Sequence, residues 1–241
     1  MPVFLDSWRA LNRNALWVGV YVVSVAGCGA VFHRYTLWHE NLVGEGPVPA
    51  PLAGIGVVAD VVYAAVLSAM AAIVFAQMGK EIDRPLWKCS GPRESLARYF
   101  LPWFLLSLVM LAMSRLIARA AEADQDSLAL TLEFARIFLV MIFLPVGTCI
   151  MYHRGLEWSR LPAILAPLVH LFGAACGVFL LGLFQWAIQL ALYVALPEEA
   201  DSSTPLLVLI NVPVSLIDCY VFCAVWHICM LDRDMQLSGG G

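Results

Sequence analysis

The chain has 241 residues, of which 61% are hydrophobic and 13% charged, and its mean hydropathy is +0.82. Too few charges are present to cover a soluble globule, so the composition excludes a soluble domain and makes lipid the expected solvent. A net charge of −4 leaves no basic footprint for nucleic acid, and no nucleic-acid partner is expected.

Only closed helices or barrels satisfy every backbone group in lipid. Six apolar stretches fill most of the sequence, each near the roughly 20 residues that cross a hydrocarbon core of about 30 Å. The predicted fold is therefore an all-α integral membrane protein, a six-transmembrane-helix bundle with short loops. Residues 1–14 form a cytoplasmic lead-in carrying Arg9 and Arg13. No small-x-small cleavage site follows the first apolar run, so that run reads as a retained span. The spans are placed at 15–33, 52–78, 99–118, 130–152, 163–190 and 205–230, making 15–230 one membrane domain. Residues 231–241, closing in LSGGG, are expected to form a disordered cytoplasmic tail.

The loops alternate in charge. Arg9, Arg13, Lys80, Arg84, Lys88, Arg93, Arg98, Arg154, Arg160 and Arg233 fall on one side, against Arg34 and Arg119 on the other. The second side is acidic, with Glu122, Asp124, Asp126, Glu198, Glu199 and Asp201. The positive-inside rule then puts both termini in the cytoplasm. Compact loops suggest a bacterial inner membrane. The basic loop 80–95 reads as a headgroup-binding segment. Trp8, Trp17, Trp38, Trp87, Trp103, Trp158 and Trp226 lie near the predicted interfaces and fit an aromatic belt.

Small residues mark the expected helix contacts. Ala64, Ser68, Ala72 and Ala76 form an i, i+4 stripe in the second span, and Gly173 and Gly177 form a GxxxG in the fifth. Packing within the bundle is the simpler reading of both, and a face for a second copy or another membrane subunit is the alternative. The fifth span is unusual, because 161–196 stays apolar for about 54 Å if wholly helical. Pro167, Gly173, Gly177 and Gly182 are its candidate kink sites. Pro145 with Gly147, and Asn211 with Pro213, are expected to kink the fourth and sixth spans.

Ionisable residues at depth are costly without partners and are the best functional leads. Depth along alternating helices sorts them into two sets. The outer set is Asp60, Arg115, Glu133 and Arg136. An Asp60–Arg136 ion pair is expected, with Glu133 and Arg136 also in i, i+3 reach and Arg115 snorkelling. This set reads as a clamp on spans two, three and four, or alternatively as an anion or gating site open to the outside. The central set is Asp218 and His170, expected at similar depth. Together they would form a proton-carrying pair or a plain hydrogen-bonded one.

The five histidines and seven cysteines suggest no cofactor and no metal site. No span holds two histidines for haem, the cysteines form no CxxC, and the i, i+4 pair Cys219 and Cys223 reads as helix packing. GxSxG, HExxH and P-loop motifs are missing. The leading expectation is a protein without catalytic activity that acts through protein or lipid contacts, as an accessory subunit, an assembly factor or a protective membrane protein. Its expected partners are membrane lipids and another membrane subunit or a second copy. The alternative is a small transporter or channel, proton-coupled through Asp218 and His170. A membrane-embedded lipid-modifying or redox enzyme is the second alternative.

Overall fold

The computed structural model describes residues 2–43, 50–83, 91–123, 125–153, 160–195 and 204–238. Eight helices are described: α1 (Pro2–Arg13), α2 (Ala15–Val43), α3 (Ala50–Ile82), α4 (Pro92–Glu122), α5 (Asp126–Tyr152), α6 (Leu161–His170), α7 (Phe172–Ala195) and α8 (Thr204–Ser238). Trp87, Cys89, Trp158, the acids at 198, 199 and 201 and the final three glycines lie outside the described residues. No strand occurs among the described residues.

Among the described residues five stretches are long and apolar enough to cross a membrane: Ala15–His39, Gly54–Ile82, Pro92–Ile117, Ser127–Tyr152 and Val208–Ser238. The predicted fifth span is broken. Leu171 leaves the helix with φ −105° and ψ 47°, and α6 meets α7 at 94°. Pro167 and Gly173, both named as kink sites, flank that corner. The two pieces count as a sixth span only if taken together.

Outward-facing side chains are apolar along the bundle, including Val23 and Val31 on α2, Phe138 on α5, Leu180 on α7 and Leu209 on α8. In water such a surface would associate. In a bilayer it meets its own kind, so the polar groups that matter are the inward ones.

α8 is the axial helix. From Val221 to Cys229 nearly every side chain is buried, as expected of a helix apolar all round. α2, α3, α4, α5 and α7 form an arc whose neighbours touch in that order from α2 to α5, and α7 packs on α5 and α8. Phe75 of α3 ties the arc to the axis. Its ring stacks on Phe222 at 4.7 Å and also meets Tyr21 at 4.8 Å and Trp103 at 5.6 Å.

The lead-in is helical from Pro2 to Arg13. α1 docks Val3, Ser7, Ala10 and Leu11 inward, while Leu5, Trp8, Arg9 and Asn12 stay exposed. Tyr220 donates a hydrogen bond to the Phe4 carbonyl at 3.0 Å, and Ser7 Oγ lies 3.2 Å from His227 Nδ1. The described part of the tail, 231–238, is also helical as the end of α8, which corrects the expected disorder there. Asp232 and Arg233 explain why: they bond to α6 and to Asp83 after α3, so this end is held by tertiary contacts.

Trp103 and Trp226 do not join an aromatic belt. Both are buried, and Trp103 Nε1 donates to Met151 Sδ at 3.0 Å. Each indole lies over a glycine, Trp103 on Gly147 and Trp226 on Gly79. A side chain there would meet the ring, so these two glycines seat tryptophans.

Candidate functional site

Six helices leave a space between them. A cavity of about 360 Å³ is lined by α2 (Tyr21, Val25), α3 (Ser68, Phe75), α4 (Trp103, Ser107), α5 (Met141, Pro145), α7 (Val178, Gln185) and α8 (Val214, Asp218), among others. That volume lies within the roughly 300–1,000 Å³ of small-molecule sites. The wall is mainly aliphatic and aromatic, with polar groups in two places. On one side Ser68 Oγ and Ser107 Oγ lie 3.0 Å apart, while Ser68 also donates to the Ala64 carbonyl. On the other, Asp218 accepts from Gln185 Nε2 at 2.8 Å and from Tyr21 at 3.5 Å.

The local sequence explains how Asp218 comes to face this space. Gln185 lies in an otherwise apolar stretch of α7, and its amide bridges Asp218 and the Val214 carbonyl one turn earlier, at 3.2 Å. This bridge fixes the α7–α8 register next to Pro213, where the helix ladder lacks a donor. Asp218 therefore has a hydrogen-bond donor for each oxygen. No Lys, Arg or His among the described residues forms an ion pair with it or lines the cavity.

His170 is elsewhere, which corrects the expected Asp218–His170 pair. Its Nδ1 lies 2.7 Å from Asp232 Oδ1, and Gln236 donates to the other oxygen of Asp232 at 2.8 Å. Asp232 stands 14 residues beyond Asp218 on α8, about 21 Å along the axis. The depth count assumed a straight fifth span. The corner at Leu171 turns α6 away, so its last residue stays level with the end of α8.

The outer set also pairs differently. Arg115 of α4 hydrogen-bonds Asp60 of α3, and Arg136 pairs with Glu133 within α5. The expected Asp60–Arg136 pair does not form. α4 packs against both α3 and α5 and takes the position next to α3, so equal depth did not mean adjacency. The charges thus join the second and third predicted spans, while α5 keeps its own pair.

The small-residue stripe faces inward. Ala64, Ser68, Ala72 and Ala76 are all buried, and Ser68 meets α4 through Ser107. In the GxxxG, Gly177 lies under the Phe4 ring of α1, whereas Gly173 faces open space. Cys219 and Cys223 are buried, and Cys149 Sγ lies 3.8 Å from Cys229 Sγ across α5 and α8. Among the described residues no three His, Cys, Asp or Glu side chains converge as a metal site.

Asp218 stands out in the sequence as an ionisable residue at depth, whereas Gln185 and Tyr21 do not. The available signal was an amide at depth: Gln185 carries no charge, yet its burial still demands a partner. Tyr21 gave no signal, since a tyrosine in a span reads as an ordinary aromatic. Comparison with protein-family models, with curated proteins and with solved structures finds no match for this chain.

Proposed function

We propose that this chain is a small carrier of the cytoplasmic membrane that binds its ligand in the central cavity, with Asp218 as the binding group. The observation that supports this reading is an acidic side chain with ordered donors on both oxygens, set in the wall of a space large enough for a small molecule. A protein acting by contact alone has no need of such a space, since lipid-facing and subunit-facing surfaces lie outside it. Six crossings with both termini in the cytoplasm, as the loop charges favour, would carry the cavity at mid-membrane. There it would lie where transporter sites occur.

A carrier's cavity must admit water from at least one side. Ser107→Cys places a thiol on its wall, and Met110→Cys is a second variant. An uncharged hydroxyethyl thiosulfonate reacts with a thiol only where water lets the thiolate form. Peptide mass spectrometry of labelled membranes reads each cysteine separately, with buried Cys149 as internal reference. Labelling of the introduced thiol well above Cys149 is expected. Labelling no faster than Cys149 in both folded variants, from both sides of the membrane, would overturn the carrier reading.

A further inference from the structure

Asp218 is hydrogen-bonded by two uncharged groups and by no cation among the described residues. Resting on the carrier reading, we infer that the cavity's ligand is an organic cation with an apolar body, its charge held by Asp218 and its body by the aromatic wall.

Three observations converge on this class. First, both partners of Asp218 are donors: the Gln185 amide gives to one oxygen and the Tyr21 hydroxyl to the other. Two donors on two oxygens is the arrangement that suits an ionised, acceptor-only carboxylate. Neither donor carries positive charge, so the carboxylate is solvated and left without a counter-charge. An unmatched charge at such a site is costly, and breaking a buried pair leaves that cost in full. The described protein supplies no cation to the cavity, so the charge is balanced either by a proton on Asp218 or by a cation that enters with the occupant, and the rings and wall beside it favour the second.

Second, aromatic rings form the wall beside the acid. Tyr21 touches both Asp218 and the ring of Phe75, and Trp103 and Phe143 continue the series with centroids 5.7 Å apart. All four rings line the cavity. Ring faces attract a cation, most strongly where water is scarce. An anion would meet a carboxylate, which repels it. A neutral ligand would bring no counter-charge to the acid.

Third, the remaining wall suits the apolar part of such a molecule. Met110 and Met141 line the space with Val25, Leu67 and Val140. Methionine adapts to irregular shapes, so this side favours a range of apolar bodies over one fixed outline. A metal ion fits poorly, because the wall offers one carboxylate and few other oxygens where hard cations take six or more.

The Ser107→Cys protein tests this with two charged reagents of similar size, trimethylammonioethyl and sulfonatoethyl thiosulfonate. Their rate ratio at the cavity thiol is divided by the ratio for a free thiol in solution. A unit charge near Asp218 should raise that quotient by about tenfold or more. Benzyltrimethylammonium, added as a competing ligand, should slow labelling by the neutral reagent, and benzenesulfonate should not. Asp218→Asn should return the quotient to near one, and Asp218→Glu should restore it. A quotient near one, or equal protection by both competitors, would overturn the cation assignment. Such an outcome leaves the carrier reading intact if the neutral reagent still labels the site. If neither reagent nor competitor reaches the thiol, the carrier reading itself fails. Should Asp218→Asn not fold, the quotient and the competition in Ser107→Cys alone decide the matter.

Discussion

Gln185 on α7 donates one amide group to two acceptors on α8, Asp218 Oδ1 at 2.8 Å and the Val214 carbonyl at 3.2 Å. These acceptors are four residues apart, so one side chain sets both the distance and the register of the two helices. Gln185→Leu removes the donor and leaves the acid with Tyr21 alone. We expect a loss of about 1–3 kcal/mol, the cost of an unsatisfied polar group. Thermal unfolding in detergent would show it, and Gln185→Glu should be worse because it sets a second acid beside Asp218. A Gln185→Leu variant as stable as the parent would mean that the bridge contributes nothing.

Asp60 and Arg115 should behave as a coupled pair. In a double-mutant cycle using Asp60→Asn and Arg115→Leu, we expect an interaction toward the lower end of about 0.5–3 kcal/mol, because Arg115 is half exposed. The double variant should recover folded yield lost by the single ones. Asp60 and Arg136 should be additive. Fluorescence-detected size exclusion across the set separates the two pairings, and coupling confined to Asp60 and Arg136 would contradict the α3–α4 clamp.

Glycine at 79 and 147 should not be replaceable by alanine. A Cβ on Gly79 would lie 2.6 Å from the Trp226 ring, and one on Gly147 would collide with the Trp103 ring. Each alanine variant is expected to lose about 1–3 kcal/mol by overpacking. Trp226→Phe should lessen the loss at 79, since a smaller ring leaves room. Unchanged melting temperatures in both alanine variants would show that the indoles can move aside freely.

His170 and Asp232 should hold α6 to the end of α8. Their contact spans elements that otherwise meet at few points, so Asp232→Asn or His170→Ala should free α6 locally. Amide exchange over 161–170 is expected to speed by about tenfold, the equivalent of about 1.4 kcal/mol, while Val221 to Cys229 keeps its protection. Equal acceleration in both regions would mean that the contact supports the whole bundle and not α6 alone.

Much of this architecture was legible in the chain, and the reason is local. In lipid every backbone group must be paired within its own segment, so an apolar run of sufficient length reads directly as a helix. Five of the expected spans appear as helices near their predicted positions, and the stripe from Ala64 to Ala76 is buried as its spacing suggested. The small residues at 79 and 147 were less readable. A glycine that seats a tryptophan on another helix looks like any other glycine until both backbones are in place.

What the sequence determined by itself was the solvent, the helical class and, where a span is unbroken, the order of polar residues along its helix, because these follow from composition and a fixed rise per residue. Which residues meet was decided only by the tertiary structure. The strings DVVYAAV at 60–66 and DCYVFCAV at 218–225 look alike, yet Asp60 is paired with an arginine and Asp218 faces a cavity with no cation among its described lining residues. Depth is a one-dimensional quantity, whereas contact also needs the azimuth of each helix and the order of its neighbours. The corner at Leu171 and the place of α4 beside α3 supply those coordinates. They move His170 from Asp218 to Asp232 and hand Asp60 from Arg136 to Arg115.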